Sequence, residues 1–154
     1  MNGYEKTGVL SLNDIRVPSE NQLRKGVAII ECVQEIPCNP CAAICPANAI
    51  SMKDINSIPI VDFDKCTGCG KCVSICPGLA IFVVKTVDNS KALVTLPYEF
   101  LPIPKTGDKV KALNRWGEIC GDAEVVRVNM LGKTTVVTIR VDKKLAMEVR
   151  NIRV

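Results

Sequence analysis

Histidine is absent from this chain. With it go Rieske ligation, cysteine–histidine zinc sites, haem held by a proximal histidine, and the commonest general base. No apolar run approaches the roughly 18 uninterrupted residues of a membrane span. The opening MNGYEKTGVLSLNDIRVPSE has no basic stretch ahead of an apolar core, so no signal peptide is expected, and the ending NIRV carries no prenylation motif. Tryptophan occurs once. Trp116 with Lys105, Lys109, Lys111 and Arg115 imitates a nucleic-acid patch only weakly, and a charged β-surface explains the same residues. No nucleic-acid partner is expected.

Cysteine is what the chain has in excess, with nine among 154 residues. A disulfide framework is one reading of such a count. The odd total, the lack of an export signal and the tight Cys-x2-Cys spacing favour metal instead, and a reducing cytoplasm as the compartment. The formal charge of +4 treats these cysteines as neutral. An oxidised four-iron cluster with its four thiolates carries about −2, so two clusters would bring the protein close to neutral and remove any nucleic-acid argument from net charge. The charge is also uneven. Residues 87–154 hold twelve basic and eight acidic side chains, against four and five in residues 31–86. A solvated surface accounts for this, or a docking face for an acidic partner.

Eight of the cysteines form two runs. The second is Cys66-x2-Cys69-x2-Cys72-x3-Cys76-Pro77, the bacterial iron–sulfur spacing without a gap. The first is Cys32-x5-Cys38-x2-Cys41-x3-Cys45-Pro46. A shift of 31 residues lays Cys38, Cys41, Cys45 and Pro46 on Cys69, Cys72, Cys76 and Pro77, and Ala49-Ile50 on Ala80-Ile81. Cys66 then falls on Glu35, and Cys32, three residues earlier, is the candidate for the displaced thiol. Zinc ribbons also use Cys-x2-Cys pairs, but four cysteines per run, each run ending in Cys-Pro, are hard to explain that way.

In this arrangement three thiolates come from one loop, and the cysteine before proline reaches the other cluster. One cluster then takes Cys66, Cys69, Cys72 and Cys45. The other takes Cys38, Cys41 and Cys76, with Cys32 as fourth ligand; a three-iron cluster or an oxygen ligand from Glu35 are the alternatives. Gly68 and Gly70 let backbone N–H groups approach sulfur in the second loop, or simply serve the turn. The first loop has Pro40, which offers no N–H. Two unlike reduction potentials are expected. Cys120 stands outside the runs and reads as a small buried hydrophobe.

Each half of the repeat reads as strand, cluster loop, short helical turn and strand. Val27–Ile30 begins the first half, 58–61 the second, and Leu79–Val84 closes it. Residues 1–26 form an arm, irregular except for a capped turn between Pro18 and Gly26. Its Val9, Leu10, Leu12 and Ile15 would pack on this chain or on a partner. After a turn at Asp88–Lys91, strands are expected at 92–96, 110–113, 119–128 and 134–141, with Pro97, Pro102 and Pro104 as breaks. Hairpin connections are expected at 114–117 and 131–133, and a short helix at 143–150.

CTGCGKCVSICPGLAI and CNPCAAICPANAI resemble the bacterial two-cluster ferredoxins over residues 27–84. The resemblance implies an α+β fold with pseudo-twofold symmetry and two [4Fe-4S] clusters. The domains expected are a docking arm over 1–26, the two-cluster ferredoxin-like domain over 27–86, and a small β-rich barrel or meander over 87–154. The phrases IECVQEIPCNPC and LAMEVRNIRV more loosely resemble small iron–sulfur subunits of flavin-dependent, dye-linked amino-acid dehydrogenases. That likeness implies an electron-transfer subunit between a larger flavoprotein and a downstream acceptor, in a hetero-oligomer and with no catalytic residues of its own. A free carrier is the alternative, and a cluster-based regulator a third reading.

Overall fold

The computed structural model describes residues 3–154. The expected ferredoxin-like α+β domain followed by a separate barrel or meander does not form. The fold is mostly antiparallel sheet with four short α-helices among the described residues. Seven strands make one sheet, in the order β1-β4-β5-β8-β7-β6-β9. They are β1 (Val27–Ile30), β4 (Ile81–Thr86), β5 (Lys91–Tyr98), β6 (Lys109–Leu113), β7 (Ile119–Leu131), β8 (Thr134–Asp142) and β9 (Asn151–Arg153). A two-stranded ribbon, β2 (Ile50–Ser51) with β3 (Ile60–Val61), stands apart.

Residues 86–91 join the two regions into one sheet. Asp88 accepts the Ser90 and Lys91 N–H groups at 2.7 and 2.8 Å, and Val87 N–H donates to the Lys91 carbonyl at 3.0 Å. This turn does not separate two units. It folds β5 back on β4, with Val83 opposite Thr95 and Thr86 opposite Ala92. The strand that closes the cysteine segment is therefore paired on both sides, to β1 and to β5.

The strands form where β-branched residues concentrate. In β8, TTVVTIRVD pairs with β5 along one side and β7 along the other. Its Thr138 hydroxyl meets that of Thr95 at 2.9 Å, so the two buried hydroxyls satisfy each other. Pro97, expected as a break, lies inside β5 opposite Val136. The pairing of β4 with β5 ends at Thr95, so the missing N–H of Pro97 costs no ladder bond on that side. The helix expected over 143–150 is a 3-10 turn at Lys143–Leu145 followed by turns. The chain then enters β9, because Arg150 N–H donates to the Leu113 carbonyl at 2.9 Å and starts pairing with β6.

Two apolar cores result. One joins Val27, Ile29, Ile81 and Val83 of the sheet to Cys41, Cys66, Cys72 and Val73 of the cysteine loops. The other lies among Leu96, Val125, Val137, Ile139 and Val149. Cys120 is half-buried against this second core.

The N-terminal segment packs on its own chain through Ile15 and Leu23. It contains α1 (Gly3–Thr7), a 3-10 turn at Leu12–Asp14 and α2 (Glu20–Lys25). The capped turn forms as expected: Ser19 and Gln22 make a reciprocal capping box and Gly26 ends the helix. Polar contacts fix the segment to residues 61–64. Arg16 donates to the Val61 carbonyl and stacks 4.8 Å from the Phe63 ring centre. Lys25 donates to the carbonyls of Phe63 and Asp64 at 2.8 and 2.7 Å. Among the described residues no helix is long and apolar enough to cross a membrane.

Candidate functional site

The two cysteine runs fold around two short helices, α3 (Pro40–Ile44) and α4 (Lys71–Ile75), which pack against each other. Each helix ends at a cysteine in nearly the same conformation: Cys45 at φ −64, ψ 112 and Cys76 at φ −67, ψ 115. The following proline enforces this, since the residue before proline is driven out of the helical region. The chain then turns back on itself through Asn48 and Leu79, both left-handed at φ 50 and 53. That turn aims the next amide at sulfur. Ala49 N–H donates to Cys45 Sγ at 3.3 Å and Ala80 N–H to Cys76 Sγ at 3.5 Å. The repeated Cys-Pro-x-x-Ala of the sequence is thus a device for placing one N–H···S bond per half. Such bonds favour the thiolate and raise a cluster's potential. A third, from Ala28 N–H on β1, reaches Cys66 Sγ at 3.3 Å.

The eight thiols separate into two fours. Cys32, Cys38, Cys41 and Cys76 line one small cavity, with Ile30, Ile36 and Ile81. Cys45, Cys66, Cys69 and Cys72 line the other, with Ile50 and Val83. Each four takes three thiols from one run and the cysteine before proline from the other. Cys32 stands with the first four, while Glu35 is exposed and does not line that cavity. Among the described residues no three of these side chains close on one point, as ligands of a single ion would. An iron–sulfur cluster spreads its thiolates over several irons, so four thiols lining one apolar cavity suit its chemistry.

Burial governs the thiols themselves. It raises the pKa of Cys32 and Cys41 above the usual thiol range, and with the neighbouring Cys66 and Cys69 it pushes Cys72 up to about 12. Without a cation these groups stay protonated; a metal core is what would stabilise their thiolates. Gly68 and Gly70 shape the second loop at φ 70 and 80. A Cβ on Gly68 would stand 2.8 Å from the Gly26 carbonyl oxygen, so this position takes only glycine. Gly70 opens α4, where the first loop has Asn39 followed by Pro40.

A charged group missed by sequence reasoning sits beside Cys32. Glu31 bridges two arginines: Arg115 Nε at 2.6 Å and Arg150 Nε at 2.5 Å, with all three side chains under 10% exposed. Glu31 follows the edge strand β1, Arg115 lies in the β6–β7 turn, and Arg150 precedes the other edge strand, β9. The group therefore ties together the two ends of the strand order. Arg150 also donates to the carbonyls of Ala146 and Val149 and lies 5.0 Å from the Phe82 ring centre. No local pattern marks residues so far apart in the chain. Of the basic residues grouped with Trp116 above, Arg115 is thus buried, while Lys109 and Lys111 pair with Glu124 and Asp122.

No curated protein matches the chain, and no solved structure does. One family model matches residues 32–87, the span that holds all eight cysteines of the two runs, and it is the LdpA Fe-S cluster-binding domain; this part of the chain is an iron–sulfur cluster-binding domain.

Proposed function

We propose that the chain holds two [4Fe-4S] clusters, one on Cys32, Cys38, Cys41 and Cys76 and one on Cys45, Cys66, Cys69 and Cys72. It relays electrons through them as a subunit of a larger oxidoreductase. The observation that carries this reading is the division of eight thiols into two fours, each drawing its fourth member from the other run. That exchange couples the two sites through α3 and α4, the arrangement a relay needs. The clusters supply one-electron chemistry; the chain supplies thiolates, N–H donors and an apolar surround.

The partner reading rests on the surface. Ile36, Ile55, Ile58 and Ile60 are 39–53% exposed. Ile36 lines the Cys32 cavity, and Ile58 and Ile60 line a cleft that also includes Cys32. Apolar side chains gathered at the edge of a cluster site suit docking to a flavin-containing subunit, such as an amino-acid dehydrogenase, and passage of electrons on to a downstream acceptor. Anaerobic reconstitution tests the cluster content: about eight irons and eight sulfides per chain are expected for two four-iron clusters. A content near half that, with one set of thiols still open to alkylation, would refute it. Purification under mild conditions tests the subunit role. Co-isolation with a flavoprotein is expected, whereas a monomer that reduces several unrelated enzymes equally well would make the chain a free carrier.

A further inference from the structure

The two thiol-lined cavities have unlike surroundings. No charged side chain lines the first, and the exposed Ile36, Ile58 and Ile60 gather beside its Cys32. The second is lined by Lys71. Of the eight thiols in the two runs, only Cys69, a member of this second four, is exposed. Its loop meets Lys85 across Gly26. A Cβ on Gly68 would stand 2.8 Å from the Gly26 carbonyl oxygen, and one on Gly26 would stand 3.3 Å from the Lys85 side chain. Lys71 and Lys85 are both exposed. Among the described residues neither forms an ion pair, whereas Lys91, Lys109 and Lys111 each hold a carboxylate at 2.5–2.7 Å. The carboxylates just before the loop are engaged locally. Asp62 accepts the Asp64 and Lys65 N–H groups at 3.0 and 3.3 Å, and Asp64 accepts from Gln22 at 3.0 Å.

Lasting interfaces are the more apolar ones, whereas redox encounters bury little surface and are steered by charge. Unpaired cations beside an exposed thiol therefore suit a visiting partner that carries carboxylates. We propose that the loop bearing Cys69, with Lys71 and Lys85, is the docking face for an acidic electron-carrier protein, and so the exit side of the chain. The inference rests on the two-cluster relay proposed above and names its downstream acceptor by class. One electron leaves the reduced second site and reduces the oxidised carrier; no bond forms or breaks.

Stopped-flow mixing of the full holoprotein, reduced with dithionite and desalted, with oxidised flavodoxin as the acidic probe tests this. The rate is expected to fall with added salt, and to fall about tenfold at low salt in the double variant Lys71→Glu with Lys85→Glu. Lys71→Arg with Lys85→Arg keeps both charges and should retain the rate. With cytochrome c, a basic probe, charge reversal should speed transfer instead. Carbodiimide coupling, which joins a lysine to a carboxylate in contact with it, needs no variant. Flavodoxin is expected on Lys71 or Lys85. A flavodoxin rate indifferent to salt and to charge reversal, or coupling confined to other lysines such as Lys105 and Lys133, overturns the proposal. Iron content separates this failure from failure of the relay. About eight irons per chain with an indifferent rate refutes the docking face alone, and about four irons refutes both.

Discussion

Replacing Arg150 by methionine should be among the most damaging single changes outside the cysteines. The guanidinium makes a charge-assisted bond to Glu31 at 2.5 Å, two more to backbone carbonyls at 3.0 and 2.6 Å, and a stacking contact with Phe82. Its side chain is 5% exposed and that of Glu31 is 7% exposed. Burial lowers the Arg150 pKa and the Glu31 carboxylate opposes the shift, which is the balance expected of a paired buried charge. Methionine fills similar space but leaves Glu31 with one partner and two carbonyls with none. Breaking a buried ion pair from one side costs about 3–5 kcal/mol. For a chain of this size each kcal/mol moves Tm by about 2–4 °C, so a fall of roughly 6–20 °C is expected. Anaerobic thermal scans of the holoprotein at one fixed rate, followed by circular dichroism and cluster absorbance, make the comparison. Arg150→Lys should restore little, since an ammonium cannot reproduce the planar fork. Glu31→Gln combined with Arg150→Met should cost clearly less than the two singles added, because both remove the same bond. An Arg150→Met variant within about 1 kcal/mol of wild type, or strictly additive singles, would refute the claim that this group joins the two ends of the sheet.

Three further outcomes follow from the cysteine loops. Cys32→Ala should leave one complete cluster and convert the other to a three-iron form visible by EPR, while Glu35→Gln keeps the full iron content; the reverse pattern would make Glu35 the ligand. Gly68→Ala should destabilise by about 2 kcal/mol or more, from left-handed strain plus the contact with the Gly26 carbonyl. Gly70→Ala, with open space around its Cβ, should cost only the strain, and equal urea midpoints for the two variants would contradict this. The metal-free chain should lose stability as pH rises from 9.0 towards about 12, because Cys72 stays protonated when folded while its unfolded counterpart ionises. The unfolded state then binds fewer protons, so the urea midpoint at about pH 10 should lie below that at about pH 8. An unchanged or higher midpoint would show that Cys72 is not held as a buried thiol.

Much of the cysteine site was legible in the sequence. The shift of 31 residues aligned the two runs, and the iron–sulfur spacing, in which the cysteine before proline crosses to the other site, grouped the thiols as they line the two cavities. Ala49 and Ala80 were also visible as a repeat, although their use as donors to Cys45 and Cys76 required the left-handed turns at Asn48 and Leu79. Four of the strands after residue 87 were found within a few positions, while β9 at Asn151–Arg153 was not expected. Their arrangement was not legible, since the turn at Asp88 reads the same whether it divides two units or closes a hairpin within one sheet.

What the sequence alone determined is therefore local: where the thiols stand in the chain, how they are spaced, and that histidine is absent. What only the tertiary structure decided is the assembly around them. Sheet pairing depends on hydrogen bonds between strands that carry no sequence label, so β4 could join β5 without a signal in either. The bond between Glu31 and Arg115 and Arg150 spans 84 and 119 positions in the chain. It exists because the ends of a seven-strand sheet come together and exclude water there, and that condition no segment of sequence contains by itself.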